Sequence, residues 1–129
     1  MLPSTRLRLQ MSASITTSNE TATPTENVVL LIGELRGISR KTETKSGALM
    51  VRRVISIARH WTDADGRFHE DYDEFELSSW GQVAEKIMEV GNGALVRVKG
   101  RVKVERWSEG GDTKSAVRIA AEQITVLCY

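Results

Sequence analysis

The sequence is poor in the residues that most often signal covalent or metal chemistry. Cys128 is the single cysteine, so no disulfide can form within the chain, which fits a reducing compartment. The two histidines, His60 and His69, do not fall at a metal-ligand spacing with Cys128. No nucleophile motif and no phosphate-binding loop is present, and the carboxylates Asp63, Asp65, Asp71 and Asp73 lack the glycine and terminal glutamate of a calcium loop. The longest apolar run, Val28 to Ile32, is far too short to cross a membrane and suits a strand. These absences argue against an enzyme, a cofactor or metal, and a membrane span. Aromatic residues are also scarce, at 5%, so each tryptophan is a candidate for a specific role. The two prolines both fall in the first 24 residues, which leaves the rest free to form sheet.

What is present is a charged, globular composition: 40% hydrophobic and 27% charged residues with a net charge of +1. With so small a net charge, any anionic ligand must be held by a local patch. The first 26 residues are rich in Ser and Thr and show no sustained periodicity, which predicts a disordered N-terminal tail over residues 1–26 and one folded domain over 27–129. Two readings of the tail stand side by side. A flexible bacterial arm would go with a cytoplasmic, nucleoid-associated protein. Arg6, Arg8 and the lack of acid before Glu20 also suit an organellar transit peptide.

From Asn27 the pattern is mainly strand. Residues 27–40 are rich in β-branched and aliphatic side chains, with Gly33 and Gly37 at the positions of a bulge or a close backbone approach. Residues 48–61 form a second strand, 62–70 a loop around Asp65-Gly66, and 71–80 a third strand. Residues 82–90 carry Val83, Ile87 and Val90 at helical spacing and end at Gly91-Asn92-Gly93. In residues 95–107, Val96, Val98, Val102 and Val104 alternate with Arg97, Lys99, Arg101 and Lys103, so one strand face is apolar and the other is a cationic ladder. Residues 115–127 supply a last strand with Ile124 and Val126 as core positions. Three strands, a short helix and two strands is the order of an all-β, five-stranded Greek-key barrel of the oligonucleotide-binding (OB) type, with its helix between strands three and four.

Four landmarks carry a further resemblance: the strand NVVLLIGEL with Gly33 and Leu35, Trp61 at the end of the second strand, the pair Trp80-Gly81 leading into the helix, and RVKVERW with Trp107. Over roughly Asn27 to Leu127 the chain resembles the bacterial-type single-stranded DNA-binding protein family. The resemblance implies an OB fold, binding of single-stranded DNA with little sequence preference, and self-association into a dimer or tetramer. It also implies roles in replication, recombination or repair beside other proteins of those pathways. Carried onto this chain, it makes Trp61, Trp80 and Trp107 the stacking candidates.

The residue chemistry agrees. Stacked bases and neutralised phosphates are what hold single strands. Trp107 has the strand parity of Arg97, Lys99, Arg101 and Lys103, which predicts stacking and phosphate contact on one surface. Arg52 and Arg53 point to opposite faces, and Arg53 is taken as a binding residue. Arg36 extends the basic surface, with Arg40 and Lys41 beside it. Two departures stand out. Glu74 occupies the place where the family carries an aromatic, among Glu70, Asp71, Asp73 and Glu76, and no acidic-hydrophobic tip follows the last strand. Both leave open an alternative in which the barrel is a protein-interaction or primosome adaptor with weak or RNA-directed binding.

Overall fold

In the computed structural model, which describes residues 22–129, the chain forms β1 (Val29–Glu43), β2 (Leu49–Thr62), β3 (Phe68–Trp80), α1 (Gly81–Glu89), β4 (Leu95–Glu109) and β5 (Asp112–Cys128). The expected tail lies mostly outside the described residues. The strands close into a barrel in the order β1-β2-β3-β5-β4. All pairings are antiparallel except the short β3–β5 contact, where Leu77 faces Ile119 and Ser78 faces Ala120. This is the five-stranded barrel with one helix that the sequence order predicts. Among the described residues no helix is long and apolar enough to cross a membrane.

The strand periodicity fixes what lies inside. Leu35, Val51, Ile55, Leu77, Val96 and Val98 are fully buried, and Ile119 and Ile124 nearly so. The helix closes the barrel with Ala84, Ile87 and Val90, which follow the 3.6-residue spacing of an apolar stripe. Asn27 ties the approach to β1 onto β4. Its side-chain amide donates to the Val102 carbonyl at 2.7 Å, and its oxygen accepts from the Val102 N–H at 2.8 Å, an arrangement that imitates one rung of a ladder.

Two of the glycines show what the geometry requires. Gly37, at φ 84°, sits in the register shift of β1 between Arg36 and Arg40, where a side chain would be strained. A Cβ at Gly100 would overlap the Ala120 carbonyl. Gly100 also lies at the second irregularity of the β4–β5 pairing, where Lys99 faces Gln123 but Gly100 faces Ala121, leaving Glu122 as the extra residue.

The strands run longer than the sequence predicts. The expected 62–70 loop shrinks to the turn between Thr62 and Phe68, because β2 and β3 stay paired out to those residues. Asp63 closes the tip by accepting the N–H groups of Asp65 and Arg67, both at 2.9 Å, the local side-chain bonding that favours Asp in turns. Likewise β4 and β5 stay paired to Glu109 and Asp112. Two hairpin arms therefore project beyond the barrel. For that reason Val102 and Val104 are 38% and 45% exposed although they continue the parity of buried Val96 and Val98.

Candidate nucleic-acid interface

The site is built where the β4–β5 arm leaves the barrel and passes the end of β3. Residues paired across a ladder point to the same face. Trp107 faces Lys114, Lys103 faces Arg118 and Arg101 faces Ala120, with no irregularity among them. Ala120 in turn neighbours Ser78 across the parallel β3–β5 contact, and Trp80 lies two residues along β3. Trp80, Arg101, Lys103, Glu105, Trp107 and Arg118 therefore share the outward face. Arg52 joins them from β2, opposite Ser78.

These side chains surround an open groove of about 620 Å³ lined by Arg52, Lys103, Val104, Glu105, Arg106, Trp107 and Arg118. Trp107 lines it, and Trp80 adjoins it through Lys103. The Lys103 ammonium lies 4.4 Å from the centre of the half-buried Trp80 ring, and the Arg118 guanidinium lies 5.8 Å from the centre of the Trp107 ring. Both are cation–π distances. Trp107 is 40% exposed and its Nε1 donates to Glu109 at 3.2 Å, leaving a ring face open to solvent on a strand tip.

The charges in the groove are organised around one carboxylate. Glu105 accepts from Arg52 at 2.9 Å and from Arg118, and it lies 3.9 Å from the Lys103 ammonium. Arg118 also donates to Glu76. That hydrogen bond first, and the charges of Glu76 and Glu105 after it, hold the Arg118 guanidinium above its ordinary value, against the opposing effect of burial. Arg52 Nε is buried without a hydrogen-bond partner among the described residues.

Not all the predicted residues gather here. Arg97 and Lys99 are exposed but lie on the other side of the Gly100 irregularity, in the half of β4 paired with β1 opposite Ile32 and Leu30. Their neighbours are Val28, Leu30 and Ile32, all more than half exposed. Arg101 is on the groove face and pairs with Glu122 at 3.5 Å. Arg36 is outward on β1, bonded to Glu34 at 2.9 Å with its guanidinium 5.7 Å from the Tyr72 ring centre. The Arg40 side chain lies outside those described.

Arg53 is a correction. It is 5% exposed and turned into the barrel, not toward a ligand. It donates to the Ile87 carbonyl at 2.9 Å, to the Val90 carbonyl, and to Asn92 Oδ1 at 3.0 Å. Its guanidinium thus satisfies the carbonyls that the end of α1 leaves without partners, and burial lowers its pKa. Of the Arg52-Arg53 pair, it is Arg52 that reaches the outer groove.

Trp61 stands apart from the other two tryptophans. The continuous β2–β3 register gives it the parity of buried Val51, Arg53 and Ile55, opposite to that of Trp80. It lies on the β2–β3 arm, stacked on His69 with ring centres 4.4 Å apart, and its Nε1 donates to Asp71 at 2.8 Å. Around it the arm is acidic. His69 and His60 face Asp63 and Glu70 at 2.8 and 2.6 Å, and Arg59 pairs with Asp71 and Asp73. Among the described residues no group of His, Cys, Asp and Glu is arranged to hold a metal.

Comparison with known proteins follows the same lines. Residues 26–127 match the model of the single-strand binding protein family. The chain is 32% identical over 102 residues to a single-stranded DNA-binding protein of Aquifex aeolicus, a match covering 78% of this chain and 69% of that protein. It is 28% identical over 102 residues to one of Treponema pallidum, covering 78% and 57%. The crystal structure of the wild-type single-stranded DNA binding protein from Thermus aquaticus superposes with a TM-score of 0.66 at 28% identity, over 79% of this chain and 50% of that one. The chain thus spans only about half the length of that solved relative.

Proposed function

Because this chain belongs to the single-strand binding protein family, we propose that it binds single-stranded DNA with little sequence preference and without catalysis, in DNA replication, recombination or repair. The observation that carries this reading is the outward groove in which Lys103 and Arg118 lie against the rings of Trp80 and Trp107. Aromatic faces take bases of any kind, since every base has a π face, while cations between them take the phosphates. Trp80 and Trp107 are the primary stacking residues, with Arg52, Arg101, Lys103 and Arg118 on the phosphate path. Trp61 serves a strand only where it extends onto the β2–β3 arm.

Self-association is part of the same proposal. Val28, just before β1, and Leu30 and Ile32 on it form an exposed apolar row beside Arg97 and Lys99. Such a row on the outside of the barrel favours burial against a second copy. Arg97 and Lys99 then border an intersubunit seam and lengthen the DNA track across it. We place the protein in the cytoplasm, with the nucleoid.

A second reading is favoured by one feature. From Arg59 to Glu76 the β2–β3 arm carries two arginines against seven carboxylates, with Phe68 and Tyr72 exposed. That surface repels phosphate and suits a protein adaptor with secondary or RNA-directed binding. Fluorescence anisotropy with labelled oligo-dT, oligo-rU and duplex DNA separates the two. The single-strand reading expects tight, salt-sensitive binding of oligo-dT over duplex. Equal, weak binding to all three supports the adaptor.

A further inference from the structure

We propose that Arg52, Arg118 and Lys103 form a phosphate subsite of this groove whose occupant in the free protein is the Glu105 carboxylate, an internal phosphate mimic that a DNA strand must displace. The inference rests on the single-strand reading above and names how that site is regulated.

Three observations on the groove carry it. First, Glu105 gathers three cations from three strands: Arg52 of β2 at 2.9 Å, Arg118 of β5, and Lys103 of its own strand at 3.9 Å. Planar guanidinium groups converging on one two-oxygen anion form the donor set that binds a phosphate. Second, the groove holds more donors than its acceptors satisfy, since Arg52 Nε is buried without a partner among the described residues. A four-oxygen anion offers lone pairs that a carboxylate lacks. Third, the position suits the backbone between stacked bases. The same Lys103 and Arg118 that approach Glu105 also lie against the rings of Trp80 and Trp107.

Glu105 also breaks the cation ladder. Arg97, Lys99, Arg101 and Lys103 are followed at the same parity by a carboxylate before Trp107. An exposed acid placed for solubility would point to water, yet the Glu105 side chain keeps only 15% of its exposure, as does that of Arg118. In the free protein the carboxylate neutralises cations that would otherwise repel one another. When a phosphate enters, it competes for those cations and is repelled by the carboxylate. The mimic therefore stabilises the free arm and weakens binding, which makes dissociation easier.

The test compares full-length wild type, Glu105→Gln and Glu76→Gln in binding to oligo-dT across a potassium chloride series, with thermal melts of each. Glutamine keeps the shape and a hydrogen-bond acceptor while removing the charge. Glu105→Gln is expected to melt a few degrees lower yet bind about five-fold tighter. Its log K against log[salt] slope should steepen by about 0.7, the single-strand value for one more phosphate neutralised. Glu76→Gln frees one side of Arg118 and should show the same trend at smaller size. It also keeps the question open to test if Glu105→Gln does not fold. A folded Glu105→Gln with unchanged or weaker binding and an unchanged slope overturns the subsite, as does an unresponsive folded Glu76→Gln if Glu105→Gln is lost. If wild type itself fails to bind oligo-dT, the single-strand reading falls and the subsite with it. Wild-type binding with unresponsive variants removes the subsite alone.

Discussion

The ammonium of Lys103 on β4 lies 4.4 Å from the centre of the Trp80 ring at the end of β3, so the most central tryptophan of the outer face is already paired with a cation. A base stacking on Trp80 meets a ring whose negative face is balanced and whose neighbour can take the adjoining phosphate. Truncating Trp80 or Trp107 to alanine should each cost about 1–3 kcal/mol in oligo-dT affinity. Trp61→Ala should cost less than either, because Trp61 leaves β2 at the opposite parity and is already stacked on His69. Titration of the three variants with a short oligo-dT measures this ranking. A dominant effect at Trp61 would move the DNA path onto the acidic arm.

Arg53 should behave as a fold residue. Arg53→Met removes the donors to the Ile87 and Val90 carbonyls and to Asn92, leaving buried carbonyls without partners. The expected loss is about 2–4 kcal/mol of stability, read by urea or thermal unfolding. The salt slope of DNA binding should stay at its wild-type value under conditions where the variant is folded. A shallower slope in a stable variant would return Arg53 to the phosphate path.

The β1 row makes a separate claim. Replacing Leu30 or Ile32, each about half exposed, with aspartate puts charge on the apolar strip without disturbing the core. Analytical ultracentrifugation should show the wild type as a dimer or tetramer and the variants shifted toward monomer. A wild type already monomeric at the concentrations used for DNA binding would contradict self-association through this face.

The β2–β3 tip should loosen in acid. The hydrogen bond from His69 first, then the Arg67 backbone N–H, holds the Asp63 carboxyl below its ordinary value. The Tyr72 hydroxyl first, then His60, does the same for Glu70. A carboxylate with a depressed folded-state pKa binds fewer protons folded than unfolded. Its stabilisation is therefore complete above the ordinary carboxylate range and is lost as pH falls through the folded value. Amide protection at Asp65 and Arg67 should accordingly fall as pH drops below the ordinary carboxylate range while that of the barrel core persists. In Asp63→Asn this pH dependence should largely disappear. Protection that stays flat in wild type would show that these hydrogen bonds do not hold the tip.

Much of this architecture is legible in the sequence, and the failures have physical causes. The β4 alternation gives the buried face of Val96 and Val98 directly, because a strand repeats every two residues. Parity alone also tells that Arg52 and Arg53 part company. The inward parity of Val51 and Ile55 puts Arg53 inside, but what an arginine finds there depends on carbonyls at the end of α1, 34 to 37 residues away. Arg118 escapes sequence reasoning for a sharper reason. Counting back by twos from Ile124 and Val126 puts Arg118 in the core. The extra residue Glu122 reverses the parity, so Ile119 and Ala121 point in and Arg118 points out. The signal that was available is Gly100 itself, since a glycine within a strand pattern marks a bulge or a close backbone approach. Glu105 was visible as the acid within RVKVERW, but its partners come from β2 and β5, which only closure of the barrel brings together.

In the proposed complex, bases stack on the tryptophans of the outer face while cations between them hold the phosphates. Intrinsic fluorescence during titration with oligo-dT, at low and at high potassium chloride, tests it most directly. Strong quenching is expected at low salt, with an affinity that falls steeply as salt rises and most of the quenching lost in a Trp80→Ala, Trp107→Ala double variant. Absence of both quenching and binding by the folded wild type at low salt would contradict it.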